Sequence, residues 1–459
     1  MDPAERARYG KSLRAEVPRN SHAEFSVSGS RADPVTLLEE QATSRVPELV
    51  PVRYGRMLAS PFSYFRGAAL PMAADLARTP VTGLRVQACG DAHLSNFGLF
   101  ASPERNLIFD LNDFDETLPA PWEWDVKRLA ASLEVAARDN GFTRKDRQAI
   151  VSAAVARYRQ AMAGFAKLGN LGVWYAKADL EEIRQQFQSG MRARQRKAVA
   201  DATAKARTRD SMQALEKLTY RSNGRVRIAA DPPLVVPYDQ LLPEQLAGGF
   251  EAQLKRIVAG YRRTLAEDRR VLLERYEFAD LARKVVGVGS VGTRCWIVLM
   301  LGRDQGDPLF LQVKEAQDSV LAPYTGASKH KNQGERVVAG QRLMQAASDI
   351  FLGWQRIKAP DGDQRDFYVR QLRDWKFSFS FEQAVPRGLR MYGELCGWTL
   401  ARAHARSGDR FAIAGYLGRS GVFDRAVAEF ASAYADQNEK DHAALAAAAA
   451  SGRISAERI

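Results

Sequence analysis

The chain has little cysteine. Cys89, Cys295 and Cys396 are the three in 459 residues, far apart and with no CxxC among them. A disulfide scaffold or a cysteine-rich zinc module is excluded on that ground. No apolar run approaches the roughly 18–20 residues that cross a bilayer. The opening MDPAERARYGKSLR lacks the apolar stretch of a secretory signal. There is no GxSxG hydrolase elbow, and the histidines His22, His93, His330, His404 and His442 show no metal-ligand spacing. No repeat is present, and the one biased tract, AALAAAAA near the C-terminus, reads as helix. The expectation is a cytoplasmic protein of a reducing compartment, without membrane contact.

A 46% hydrophobic and 26% charged composition excludes a disordered chain, and the length allows two or three structural units around a large shared core. Lys and Arg exceed Asp and Glu by 67 − 54 = 13. Much of the excess sits in one stretch that holds Arg192, Arg194, Arg196, Lys197, Lys205, Arg207 and Arg209. Alanines around it and the absence of proline suggest a helix. Its basic residues recur at odd and helical spacings alike, which is the pattern of a solvated helix. A surface for a nucleotide, an acidic substrate or nucleic acid is the other reading. Nucleic acid is the weaker of these partners, because no aromatic residues interleave to stack on bases.

Residues 1–50 read as a polar, irregular N-terminal extension. Residues 51–280 are mostly helical in pattern, interrupted at 84–114 by two short strands and a loop. Residues 281–385 are rich in β-branched and aromatic runs with turns between them, around one helical segment, ERVVAGQRLMQAASDIF. Residues 386–459 are helical again. The pattern is α+β with two lobes, the strand-rich one inserted between helical parts.

Three constellations carry chemistry. Gly287-Val288-Gly289-Ser290-Val291-Gly292 is a GxGxxG, but an emphatic strand follows it where a dinucleotide fold would need a helix. Strand, glycine turn and strand make a hairpin that can fold over phosphates, or an ordinary glycine-rich hairpin. Lys314 lies in the next strand, PLFLQVKEA, where an ammonium is costly unless it meets anions or snorkels to water. Gly90-Asp91-Ala92-His93-Leu94-Ser95-Asn96 places an Asp and an Asn on one loop. The Asp can accept a hydroxyl proton, and the Asn carbonyl can ligate magnesium. Asp113, in LNDFDE at the end of an apolar strand, would complete that metal site, with Asp115 and Asp110 as alternatives. His93 reads as ordering the loop.

GDAHLSN followed by LNDFDE resembles the catalytic and metal-binding loops of aminoglycoside phosphotransferases and choline kinases, within the protein-kinase-like superfamily. GVGSVG and Lys314 resemble that superfamily's nucleotide lobe. The full chain, including RMLASPFSYFRG and the YADQNEKDHAAL tail, resembles the bacterial domain-of-unknown-function family 2252. The resemblance implies a two-lobed kinase-like fold and an ATP- and Mg2+-dependent phosphotransferase acting on a hydroxyl of a small molecule. It assigns Asp91 as base, Asn96 and Asp113 (or Asp115) to the metal, and Lys314 with Gly287, Gly289, Ser290 and Gly292 to the nucleotide. Glu335 is the expected acidic partner of Lys314, and Asp125 resembles the superfamily's helix-capping aspartate. Two departures stand out. Cys89 replaces the histidine expected before Gly90, which leaves a nucleotide-binding pseudokinase as the alternative. The glycine loop and lysine follow the catalytic loop instead of preceding it, and the expected hinge strand, DFYVRQLRDWK, and the helix after it, MYGELCGWTLARAHARSG, come later still. The implied relationship is a circular permutation.

Overall fold

CWIVLML and PLFLQVKEA are long extended apolar runs, and in the computed structural model they pair antiparallel within a six-stranded sheet. The structure describes all residues except 27–28, 30, 182–210, 242–256, 359–361, 373–374, 376–378, 380, 383 and 459. Strands among the described residues are numbered β1–β13 along the chain.

The large sheet comprises β8 (Val235–Pro237), β9 (Glu277–Lys284), β10 (Cys295–Leu301), β11 (Pro308–Ala316), β12 (Gly353–Lys358) and β13 (Gln364–Gln371), in the order β12-β13-β11-β10-β9-β8. β8 and the start of β9 lie before the boundary expected at 281. Both faces are covered, so successive residues of β10 alternate between two cores. Ile297 and Leu299 pack with Phe310 and Ala214, while Val298 and Met300 pack with Leu311 and Tyr261. Each such side chain contributes about 1.5–3 kcal/mol on burial.

The helix Gln333–Met344 packs against β11, β12 and β13. It stops short of the expected ERVVAGQRLMQAASDIF because Gln345 turns extended and the Ala346 N–H donates to Asp110 Oδ2 at 2.8 Å. The helical body is built from Trp122–Asp139, Arg144–Phe165, Pro386–Ser407 and Val422–Ala450. Its core is continuous with residues under the sheet, among them Val337, Val338 and Tyr368.

Small β elements position the loops. β1 (Arg85–Ala88) pairs with β4 (Leu118–Pro121), and β2 (Phe97–Ala101), β3 (Leu107–Leu111) and β5 (Ala178–Asp179) form a three-stranded sheet. Three strands therefore occupy 84–114, where two were expected. Between 123 and 280 the reading as mostly helix also missed the hairpin of β6 (Thr219–Ser222) and β7 (Arg225–Ile228). Its turn is Asn223-Gly224, both with positive φ (49° and 72°), as a two-residue hairpin of this hand requires.

Residues 1–50 are not irregular. The helices Pro3–Ser12 and Pro34–Ala42 each start with an Asp cap followed by Pro: Asp2 accepts from the Glu5 N–H and Asp33 from the Thr36 N–H. Pro3–Ser12 packs on the helix Arg410–Leu417, and the Glu457 N–H donates to Pro51 O at 2.9 Å. Both ends of the chain thus join the helical body. Among the described residues no helix is long and apolar enough to cross a membrane.

Candidate functional site

The loop between β1 and β2 turns sharply at Gly90, whose φ is 81° and whose missing Cβ would lie 2.4 Å from Glu116 O. Only glycine fits there. The Asp125 carboxylate holds the turn from beneath, accepting from the N–H groups of Cys89 (2.6 Å) and Gly90 (2.9 Å). His404 Nε2 lies 3.1 Å from the same carboxylate, and Tyr158 Oη is 2.8 Å from His404 Nδ1. Asp125 therefore anchors the loop and does not cap its own helix, where Pro121 is the N-cap. Cys89 is fully buried, and its thiol donates to Asp113 O at 3.3 Å, tying this loop to the next one.

Within the loop, the Asn96 amide donates to Asp91 O at 2.7 Å, which leaves the amide oxygen as the atom suited to a cation. Asp91 Oδ1 accepts from Arg128 Nε (2.6 Å) and lies 2.5 Å from Nη2. Burial raises the Asp91 pKa, and the Arg128 charge works against that rise. His93 Nε2 is 3.7 Å from Asp91 Oδ2. Burial, with Arg128 and Arg66 nearby, holds the imidazole pKa well below its ordinary value, so it stays neutral.

After β3, residues 112–117 carry the carboxylates. Lys314, 2% exposed on β11, pairs with Asp115 Oδ2 and lies 3.7 Å from Asp113 Oδ2. Tyr368 Oη donates to Asp115 Oδ1 at 2.7 Å, and Ser290 Oγ reaches Asp115 Oδ2 at 3.4 Å. Burial works against the lysine's charge, but Asp113 and Asp115 outweigh it and raise the Lys314 pKa. Asp110 has a different role from the metal duty it was a candidate for. It is buried within β3 and accepts from Arg402 Nη2 (2.6 Å) and the Leu111 N–H (2.9 Å). Glu116 accepts from the Val320 N–H at 2.7 Å, and burial pushes its pKa up to about 7.

The glycine turn lies between β9 and β10, which pair antiparallel as the hairpin reading expected. Gly287 and Gly292 have φ of 64° and 89°. N-terminal residues grip the turn: Arg56 Nη1 donates to Gly287 O (2.6 Å), the Val46 N–H to Gly292 O (2.8 Å), and Arg45 Nη1 to Val291 O. A cavity of about 720 Å³ opens between this turn and the two loops, and Asp91, Asn96, Asp113, Asp115, Gly289 and Ser290 all line it.

The helix after β11 does not supply the expected partner for Lys314. Glu335 is half-exposed and pairs with His330 Nδ1 at 3.2 Å. The next residue, about 100° further round the helix, is the one aimed at the site. Arg336 is buried and donates to the carbonyls of Asp115 (2.8 Å), Thr117 (2.7 Å) and Gln317 (2.7 Å). Sequence reasoning also missed Arg128 and Tyr368. Arg128 had a signal: it follows Asp125 by three residues, which puts both on the helix face turned to the Asp91 loop. The basic residues Arg192 to Arg209 lie outside the described residues.

Among the described residues no cluster of three His, Cys, Asp or Glu side chains is arranged to hold a metal ion. Magnesium does not need one, since it is bound by one or two carboxylates together with phosphate and water. Asp113 and the Asn96 oxygen fit such a role. The three donors on Asp115 already engage that carboxylate. No curated protein and no solved structure matches this chain. Residues 45–448 match the family described as "Uncharacterized protein conserved in bacteria (DUF2252)", and the chain belongs to that family.

Proposed function

We propose that this protein is an ATP- and Mg2+-dependent phosphotransferase of kinase-like, circularly permuted architecture, acting on a hydroxyl of a small molecule. The observation that carries the reading is the convergence of Asp91, Asn96, Asp113 and Ser290 on one cavity, with Lys314 buried against its carboxylates. The sheet supports it: the glycine turn joins β9 to β10, Lys314 lies on the next strand, β11, and a helix follows before β12, the succession of parts expected of the nucleotide lobe. The cavity volume is within the range of small-molecule sites.

In this reading the glycine turn covers the nucleotide phosphates with its backbone, and Lys314 exchanges its carboxylate neighbours for phosphate oxygens. Asp91 takes the proton of the attacking hydroxyl. Arg128 engages one Asp91 oxygen in a charge-assisted pair, which fixes the direction of the carboxylate and leaves the other oxygen to the acceptor. Bound magnesium, held by Asn96 and Asp113, would offset the charge of the phosphates. Because the protein supplies little covalent chemistry, its contribution is positioning and electrostatics.

Thermal unfolding with and without ATP and magnesium tests the reading. Ligand at 100 times its dissociation constant adds about 2.7 kcal/mol. The wild type is expected to be stabilised, and Lys314→Ala and Asp113→Asn to respond less. Absence of any shift up to millimolar ATP would overturn the proposal.

A further inference from the structure

The cavity wall facing the catalytic loop is contributed by the N-terminal part of the chain, which none of the kinase-like motifs covers. Arg45 and Arg66 are on that wall. Neither is within ion-pair distance of a carboxylate among the described residues. Several other arginines of low exposure do meet acids, Arg31 with Asp75 and Asp441, Arg128 with Asp91, Arg159 with Asp424 and Arg402 with Asp110, whereas buried Arg336 is met by backbone carbonyls. Arg53 is wholly buried close by and donates to Gln41 Oε1 and Gly67 O, two residues that also line the cavity. Its Nε and Nη1, and the Nε of Arg45, are buried with no partner at all. A guanidinium does not give up its proton, so buried and unanswered charge of this kind calls for an anion.

The position of Arg66 narrows the choice of anion. A Cβ on Gly289 would lie 3.1 Å from Arg66 O, so the glycine turn rests on this residue, and the nearby charges that favour its ionisation are Asp91 and Glu382. Arg66 thus lies between the turn and the base, where the proposed nucleotide would present its last phosphate. The catalytic loop itself offers no cation for that phosphate. His93 is its one basic side chain and is buried against Asp91, and Arg128 is committed to Asp91.

We propose that Arg66, backed by Arg45 and Arg53, forms a subsite for the terminal phosphoryl group of the bound nucleotide, an arginine supplied in cis by the N-terminal segment. The inference rests on the phosphotransferase reading. As the acceptor oxygen bonds to phosphorus, its proton goes to Asp91 and the bond to the bridging oxygen breaks, with its electron pair leaving on ADP. Arg66 offsets the charge on the non-bridging oxygens during that exchange.

Calorimetric titration of the full chain with ATP and with ADP, both with magnesium, separates this role from a structural one. Arg66→Gln is expected to weaken ATP binding by about tenfold while ADP binding stays within about twofold. Arg66→Lys is expected to recover part of the ATP affinity. The ADP titration also checks that each variant is folded at the site. Equal losses for ATP and ADP, or no loss for either, would overturn the inference and leave the nucleotide reading standing. A wild type that binds neither nucleotide would remove both.

Discussion

Lys314 on β11 is paired with Asp115, a residue 199 positions earlier in the chain, and that contact joins the sheet to the loops of the helical body. The pair is shared with Tyr368 and Ser290, so three residues from three other segments meet on one carboxylate. Breaking a buried pair from one side leaves an uncompensated charge. Asp115→Asn and Lys314→Met should each lower stability by about 3 kcal/mol. The double variant should cost less than the sum of the two. Urea denaturation of the four proteins measures the coupling, and strict additivity would refute it.

On the neighbouring helix, two adjacent residues should respond very differently in size. Glu335→Gln touches a half-exposed pair with His330 and should change stability by less than about 0.5 kcal/mol. Arg336→Met strips the donors from three carbonyls around the carboxylate loop and should cost about 3 kcal/mol. Denaturant midpoints at constant slope provide the comparison. A large effect at Glu335 would show that the helix is rotated from the orientation described.

Asp125 is expected to govern the order of the loop that holds Gly90, Asp91 and Asn96. Asp125→Asn replaces one acceptor oxygen with a donor facing the Cys89 or Gly90 N–H. Hydrogen exchange at those two amides should accelerate by about tenfold or more, corresponding to roughly 1.4 kcal/mol of local opening. Exchange in β10 serves as the unaffected reference. Unchanged protection at Gly90 would mean that Asp125 does not hold the turn.

The pH dependence of stability has a predictable sign around Glu123. Burial pushes its pKa from 4.5 up to about 7, and one carboxyl oxygen has no partner. A carboxyl with a raised folded pKa retains its proton in the folded state while the unfolded chain has lost it. Its contribution is therefore fully present below about pH 4.5 and is lost as pH rises through about 7. Glu123→Gln should remove up to about 1.4 kcal/mol per pH unit from the slope of stability across that window. Urea midpoints between these pH values test it, and parallel curves for both proteins would contradict the burial effect.

Much of the site was readable as local pattern. Asp91 and Asn96 share one short loop, so their spacing in the chain already limits their spacing in space, and both line the cavity. Lys314 stood out as the lysine of an apolar strand, and the extended runs around it form the sheet. The two Asp-Pro starts in residues 1–50 carried a capping signal that overall polarity obscured. Likewise, Asn223-Gly224 marked a hairpin inside a region taken for helix.

Local chemistry along the chain determined which segments are strands, which are helices, and where glycine is obligatory. Backbone periodicity, caps and turn conformations depend on near neighbours in sequence. Tertiary structure alone decided which carboxylate answers Lys314, that Asp110 pairs with Arg402, and that Arg336 is aimed at the site in place of Glu335. It also set Arg45 and Arg66 against the glycine turn from more than two hundred residues away. Those outcomes depend on the packing angles of whole elements and on the cost of leaving a buried charge unanswered. Neither is encoded in a short window of sequence.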